Sequence, residues 1–277
     1  MLKIVAVDST APLLHQDLCS LLREVYTAFP VMKVFVIVPA AGLGTRMSAA
    51  TPGRKTPSKQ FFELQGTPIL IHTLRKFDEC DCVSEIVVAL RTNETAEFQS
   101  LIARERLRKP IRVVEGGEHR QMSVANALCS LHAADDDIVL VHDAVRPFVD
   151  QDTIVGVVEG VKKYGAAIAG IPAVDTVKQV DRTADGAVVV ATVPRERMVM
   201  AQTPQGFRFA MIKAAFDEAL ADGFLGTDEA SLVERKGGTV HVVMGSPRNI
   251  KITTPADLDL AELYLSQEEH RRVGLSG

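Results

Sequence analysis

The chain has 277 residues, 47% hydrophobic and 24% charged, enough to bury a sizeable core in one large domain or two small ones. Its 31 basic and 35 acidic residues give a net charge of -4 and are spread along the chain, which excludes a broad electrostatic attachment to nucleic acid; anionic small ligands need local basic sites. No hydrophobic run approaches the ~20 residues of a membrane span, and Cys19, Cys80, Cys82 and Cys129 show neither metal-finger spacing nor a disulfide framework, so no membrane contact is expected and a reducing cytoplasm fits best.

Residues 1–31 hold an acid and a proline before any long apolar run and do not read as a secretory signal. Leu13 to Tyr26 has the period of a short amphipathic helix. The main pattern begins at Met32, so residues 1–31 are read as an N-terminal extension, either tolerated or the product of an upstream start codon, ahead of one domain over 32–277.

From Lys33 onward, short apolar runs alternate with segments of helical period, the pattern of parallel strands joined by crossover helices. The runs are Val34 to Val38, Glu85 to Leu90, Ile111 to Glu115, Ile138 to His142 and Ala166 to Ile171. They are continuous rather than alternating because helices cover both faces of such a sheet. Helices are expected from Thr67-Pro68, with proline in the first turn, over Glu94 to Leu107, and over Gln121 to Ala133. The fold class is α/β: a Rossmann-like, doubly wound, mostly parallel sheet. Val174 to Val180 and Val188 to Val193 interrupt the alternation and form a hairpin across the turn-rich Asp181 to Gly186. This arm, at about 173–203, is expected to protrude from the sheet, and since an isolated hairpin is only marginally stable in water, a partner subunit is expected to cover it.

The first chemical motif follows the first strand: Pro39-Ala40-Ala41-Gly42-Leu43-Gly44-Thr45-Arg46-Met47. In open α/β sheets ligands sit beyond the carboxyl ends of the strands, and glycines let backbone N–H groups approach phosphate oxygens. Arg46 adds a planar positive fork that lysine cannot reproduce. Neither the dinucleotide fingerprint nor a Walker loop fits, and a plain tight turn is the alternative. The basic, proline-punctuated loop from Thr51 to Phe61 carries Lys55 and Lys59, which either close over a triphosphate or are solvated surface charge. Gly116-Gly117-Glu118, with Ser123 on the following helix, offers donors and acceptors for a nucleobase, or is a glycine turn with helix caps.

After the fourth strand, Asp143 is placed to hold Mg²⁺, which takes one or two carboxylates plus substrate phosphates; the alternative is a cap or an internal partner for Arg146. His142 is read as a packing or hydrogen-bonding residue, because an already ionised phosphate nucleophile needs no general base. Thr227-Asp228-Glu229 also fits an ordinary helix start. Lys251, flanked by β-branched residues near a strand end, calls for an anion.

In this order, the Pro39 to Gly42 loop, Gly116-Gly117, Val141-His142-Asp143-Ala144, Thr227-Asp228-Glu229-Ala230-Ser231 and Asn249-Ile250-Lys251 resemble the 2-C-methyl-D-erythritol 4-phosphate cytidylyltransferases of the non-mevalonate isoprenoid route, from about Lys33 to about Ser266. The resemblance implies a nucleotide-diphospho-sugar transferase type of fold and transfer of CMP from CTP to 2-C-methyl-D-erythritol 4-phosphate, with release of pyrophosphate. It implies that Ala40, Ala41, Gly117, Glu118 and Ser123 contact cytosine or ribose, that Gly42, Gly44 and Arg46 hold the triphosphate, and that Asp143 binds Mg²⁺. Arg46, Lys59 and Lys251 would stabilise charge at the α-phosphate. Arg146, Thr176, Arg195, Thr203, Thr227 and Lys251 would hold the acceptor, with Thr176 and Arg195 on an arm that reaches into the neighbouring subunit of a homodimer. Two departures stand out: the loop from Ser48 to Ser58 is longer than the family spacing, and Ser58 stands where proline commonly precedes the lysine. Lys59 is preferred to Lys55 because Gln60-Phe61 follows it. The rival readings are a ribitol-5-phosphate cytidylyltransferase and a non-catalytic nucleotide-binding regulator.

Overall fold

The computed structural model describes residues 32–42 and 58–274. The extension at residues 1–31, and residues 43–57 with Gly44, Arg46 and Lys55, lie outside the described residues.

In chain order the elements begin with β1 (Val34–Pro39), the short pair β2 (Glu63–Leu64) and β3 (Thr67–Pro68), α1 (Ile69–Asp78), β4 (Glu85–Leu90), α2 (Thr95–Ile102), β5 (Ile111–Glu115), α3 (Arg120–Ser130) and β6 (Ile138–Val141). The second half holds α4 (Gln151–Tyr164), β7 (Ala166–Pro172), the hairpin β8 (Val177–Thr183) and β9 (Gly186–Val193), β10 (Val199–Arg208), α5 (Phe209–Ala221), α6 (Glu229–Arg235), β11 (His241–Met244) and α7 (Pro255–Gly274). Seven strands form the main sheet in the order β11-β7-β10-β6-β1-β4-β5. β1 runs parallel to β4 and β6, β4 to β5, and β7 to β11, whereas β10 is antiparallel to both neighbours.

The apolar runs form the sheet because both of its faces are buried: Val36, Val38, Ile86, Val88 and Leu140 on one face, and the residues that alternate with them on the other. Phe35, Ile37, Val87, Val139 and Val141 are buried with Val124, Ala127 and Leu128 of α3 and with Ile212, Ala215 and Phe216 of α5. Burial of such a side chain contributes about 1.5–3 kcal/mol relative to exposure. Across the crossover from β6 to β7, Asp150 caps α4 by accepting from Thr153 N at 2.7 Å, and Gly165, at φ 86°, ends it. Cys80, Cys82 and Cys129 are free thiols.

Several expected boundaries move. Pro68 is extended (φ -55°, ψ 140°) and stands just outside α1, while Thr67-Pro68 pairs with Glu63–Leu64. A residue before proline disfavours the helical region, so Thr67 stays in a strand. α2 stops at Ile102 instead of Leu107, and Arg108 N and Lys109 N donate to Asp78 Oδ1, which draws the following chain back under α1. α3 ends at Ser130, before Ala133. The hairpin closes through only Ala184-Asp185 and forms a sheet of its own, separate from the seven strands. Gly186 follows at φ 143°, where a glycine is favoured.

Candidate active site

β1 lies between β4 and β6, so the chain winds outward in two directions from it, and a crevice opens at the carboxyl ends of these strands. Ala40 extends the β1–β4 ladder by one bond, donating its N–H to Ala89 O at 2.8 Å. Ala41 O accepts from Arg91 Nε at 2.8 Å, and Ala40 O accepts from the Gln60 side-chain amide. The loop after β1 is thereby fixed at the floor of a cleft of about 190 Å³.

The Gly116-Gly117 turn forms the opposite wall, and both glycines are dictated by space. A Cβ on Gly116 would fall 2.3 Å from Ala41 Cβ, and one on Gly117 would fall 2.3 Å from Met122 Cβ. Gly117 N donates to Ser123 Oγ at 3.1 Å, and the same hydroxyl donates to His119 O at 3.2 Å. Ala40, Ala41, Gly42, Gly117, Glu118 and Ser123 therefore line one cleft, together with Lys59, Asp143 and Lys251.

Asp143 sits at the electrostatic centre. Its Oδ2 is 2.9 Å from Lys251 Nζ and 3.2 Å from Arg146 Nε, and its Oδ1 is 3.2 Å from Arg120 Nε. Burial works to raise its pKa, but Arg120, Lys251 and Arg146 outweigh it and hold the carboxyl well below the usual range. Arg120 reaches on to Glu229, with Nη1 to Oε1 at 2.6 Å. Burial raises the Glu229 pKa against the pull of Arg120. Arg120 itself, opposed by burial, is pushed up by the two acids.

The backbone at Asp143 is set by a relay. Its N–H donates to Thr203 Oγ1 at 3.0 Å, and Thr203 Oγ1 lies 3.1 Å from His142 Nδ1. His142 Nε2 is 3.1 Å from Arg146 O, which can only accept. Nε2 therefore carries the proton, Nδ1 accepts, and Thr203 donates to it. Burial lowers the His142 pKa to about 4, so the ring is neutral. Asn249 completes the support: its Nδ2 donates to Thr203 O at 2.8 Å and its carbonyl accepts from Arg146 Nη1 at 2.6 Å.

Some expected acceptor contacts are placed elsewhere. The Thr203 hydroxyl, expected to face the acceptor, is buried, and it spends its proton on His142 and one lone pair on Asp143 N. Thr176 and Arg195 are exposed at the base of the arm, where Arg195 Nη1 donates to Val174 O at 3.0 Å; neither lines the cleft of its own chain. Thr227 is exposed just before α6, whose N-terminus carries a capping box between Asp228 and Ser231. Lys251 lies in the loop beyond β11, not near a strand end, and is held by the neighbouring Ile252 N–H, which donates to Val145 O at 3.0 Å. Arg120, Glu229 and Asn249 carry geometry to which the sequence assigned no role. The signals available were the motifs that contain Glu229 and Asn249 and, for Arg120, a guanidinium three residues after the glycine turn.

Among the described residues no three His, Cys, Asp or Glu side chains gather to hold a metal by themselves. The donor set still fits Mg²⁺, which takes one or two carboxylates and completes its shell with phosphate oxygens and water. Asp143, kept ionised and at the cleft wall, is the residue that would supply the carboxylate.

A family model described as IspD, 2-C-methyl-D-erythritol 4-phosphate cytidylyltransferase, matches residues 34–267. A 2-C-methyl-D-erythritol 4-phosphate cytidylyltransferase of Acidobacterium capsulatum is 56% identical over 240 residues, covering 87% of this chain and 100% of that protein. One from Solibacter usitatus is 53% identical over 241 residues, covering 87% of this chain and 98% of that one. The crystal structure of the Francisella tularensis 2-C-methyl-D-erythritol 4-phosphate cytidylyltransferase superposes with a TM-score of 0.69 at 37% identity, over 83% of this chain and 99% of that one.

Proposed function

Because the chain belongs to the 2-C-methyl-D-erythritol 4-phosphate cytidylyltransferase family, we propose how its own residues carry out that reaction. It transfers CMP from CTP to 2-C-methyl-D-erythritol 4-phosphate in isoprenoid biosynthesis, giving 4-diphosphocytidyl-2-C-methyl-D-erythritol and pyrophosphate.

An oxygen of the acceptor phosphate attacks the α-phosphorus in line. A new P–O bond forms as the bond to the β-phosphate oxygen breaks, and the electron pair leaves with pyrophosphate. The nucleophile is already ionised, so the protein's task is positioning and charge stabilisation. The Ala40 to Gly42 loop and the Gly117 turn, backed by Glu118 and Ser123, hold the nucleoside. Lys59 and Lys251 meet the negative charge that builds on the α-phosphate, with Arg46 assigned to the same task by resemblance. Asp143 would hold Mg²⁺, whose divalent charge would help to offset that of the phosphates. The observation that carries this reading is the meeting of Lys59, Asp143 and Lys251 in one cleft with the glycine turn.

The functional unit is a homodimer in which the arm of one protomer brings Thr176 and Arg195 to the partner's acceptor site. In support, Val188, Val189 and Val190 of β9 stand exposed on a hairpin that, among the described residues, pairs with no other strand of its own chain. The compartment is the cytoplasm, in keeping with the free thiols and with the lack, among the described residues, of any helix long and apolar enough to cross a membrane.

Pyrophosphate release measured over the four nucleoside triphosphates tests the substrate assignment. CTP with 2-C-methyl-D-erythritol 4-phosphate should be turned over, and ribitol 5-phosphate should not. Faster release with ribitol 5-phosphate would reassign the acceptor, and no release with either would leave a nucleotide binder without catalysis.

A further inference from the structure

Glu94 ends the turn Thr92–Glu94 beyond β4 and is 8% exposed. Its two carboxyl oxygens accept from the two residues that flank Lys59. Ser58 Oγ donates to Oε1, and Gln60 Nε2 donates to Oε2 at 3.4 Å. Gln60 Nε2 also donates to Ala40 O in the nucleotide loop. Between these anchors the chain makes one tight turn, Lys59–Phe61, closed by Phe61 N donating to Ser58 O at 2.8 Å. Gln60 and Phe61 are buried, and Lys59, beside Gln60, is the member of the turn that brings a cation to the cleft lining.

We infer that Glu94 is a positioning residue for the reaction: it grips Ser58 and Gln60 and thereby sets the height and direction of Lys59 over the nucleotide. The inference rests on the proposed role of Lys59 at the α-phosphate and deepens it. Two observations lead to it. Burying a carboxyl costs free energy that an apolar side chain of similar volume would not, so this group is a poor device for stability alone. Among the described residues both of its side-chain donors belong to the segment that carries the lysine, one on each side of it.

The geometry also orders the variants. In Glu94→Gln the amide oxygen still accepts from Gln60, and the amide N–H₂ donates to Ser58 Oγ, whose hydroxyl rotates to accept. In Glu94→Ala both anchors are gone while the Gln60 bond to Ala40 remains. Displacement of a catalytic group by about 1 Å costs on the order of 10²-fold in rate.

The test is steady-state pyrophosphate release by wild type, Glu94→Gln, Glu94→Ala, Ser58→Ala and Lys59→Ala, with each Glu94 and Ser58 change repeated in the Lys59→Ala background. Glu94→Ala is expected to lose about 10- to 100-fold in kcat with KM for CTP changed less than about threefold, and Glu94→Gln to keep most of the activity. Ser58→Ala, which leaves Glu94 and the core intact, is expected to show a smaller loss of the same kind, and it carries the test if Glu94→Ala does not fold. In the Lys59→Ala background neither change should cost more. Wild-type kcat in Glu94→Ala, or a loss that adds fully to that of Lys59→Ala, overturns the inference while leaving the role of Lys59 intact. Unimpaired kcat in Lys59→Ala overturns the lysine assignment and the inference with it.

Discussion

The Lys251 ammonium lies 2.9 Å from Asp143 Oδ2, joining the loop beyond β11 to the end of β6 inside the cleft. Asp143 also meets Arg146 and Arg120, and Arg120 meets Glu229, so three cations face two carboxyls and the cluster keeps a net positive charge for an incoming phosphate. The Lys251 side chain is 40% exposed, and without it Asp143 keeps Arg120 and Arg146 as partners, so no buried charge is left unpaired and the pair contributes little to folding. Its value lies in the transition state. Lys251→Ala is expected to lower kcat by about 10²–10³-fold, as loss of one preorganised donor does, with KM for CTP nearly unchanged. Thermal melting should stay within a degree or two of wild type. Steady-state kinetics and a melting curve check both, and a loss of CTP affinity equal to the loss of kcat would show uniform binding instead.

The neutral His142 makes stability depend on pH in a defined window. Its pKa falls on folding from 6.5 to about 4, so the unfolded chain takes up the proton first. The contribution is complete above pH 6.5 and is lost as pH falls towards 4. Between pH 7.5 and 4.5 the expected loss is roughly 2.5 kcal/mol. Asp143, whose pKa is lowered, acts further into acid, because its contribution starts to be lost only as pH falls into the ordinary carboxylate range and goes on being lost below it. Urea unfolding at a series of pH values checks the window. His142→Gln should be less stable than wild type at pH 7.5 and lose less on acidification; an unchanged slope would mean that another group titrates there.

The sheet was legible where burial alone decides the element. Val34 to Val38 and Glu85 to Leu90 are continuous apolar runs, and they are β1 and β4. β10 was not legible as a strand, because its buried Gln202, Thr203 and Gln205 are polar and are satisfied only by distant partners: Ser246, His142 and Asp228. Its antiparallel direction follows from the excursion of the arm between β7 and β10, a tertiary fact that no local pattern carries. Within the site, Asp143 and Lys251 were legible as charges that need a partner. Arg120 was not, since its two acids lie 23 and 109 residues away in sequence and only the fold brings them to it.

That arginine is the connection between the cleft and the core. Glu229 is 1% exposed, and among the described residues its Oε2 has no hydrogen-bond partner, so Arg120 is the cation that offsets its burial. Arg120→Ala should therefore destabilise by about 3 kcal/mol, the lower end for breaking a buried pair because Arg120 keeps some solvent contact. Arg120→Met combined with Glu229→Leu should recover most of that loss, since no buried charge is left unpaired. Equilibrium unfolding of the single and double variants is the measurement. A double variant less stable than Arg120→Ala would mean that the pair is worth more than the penalty of its separation.

The arm gives the most direct test of a composite site. Thr176 and Arg195 do not line the cleft formed by their own chain, and the valines of β9 are open to solvent in the single protomer. If each acceptor site takes Arg195 from the neighbouring subunit, Arg195→Ala and Asp143→Ala damage the same site only when they lie on opposite protomers. A mixed dimer of one Arg195→Ala chain and one Asp143→Ala chain then has one site carrying both lesions and one carrying neither. Purified through two different affinity tags, it should retain about half of the wild-type kcat, while both parent homodimers fall by about 10²-fold or more, as expected when an acceptor clamp or a metal-binding carboxylate is lost. A mixed dimer as inactive as its parents would place Arg195 at the site of its own chain, because each protomer would then carry one lesion.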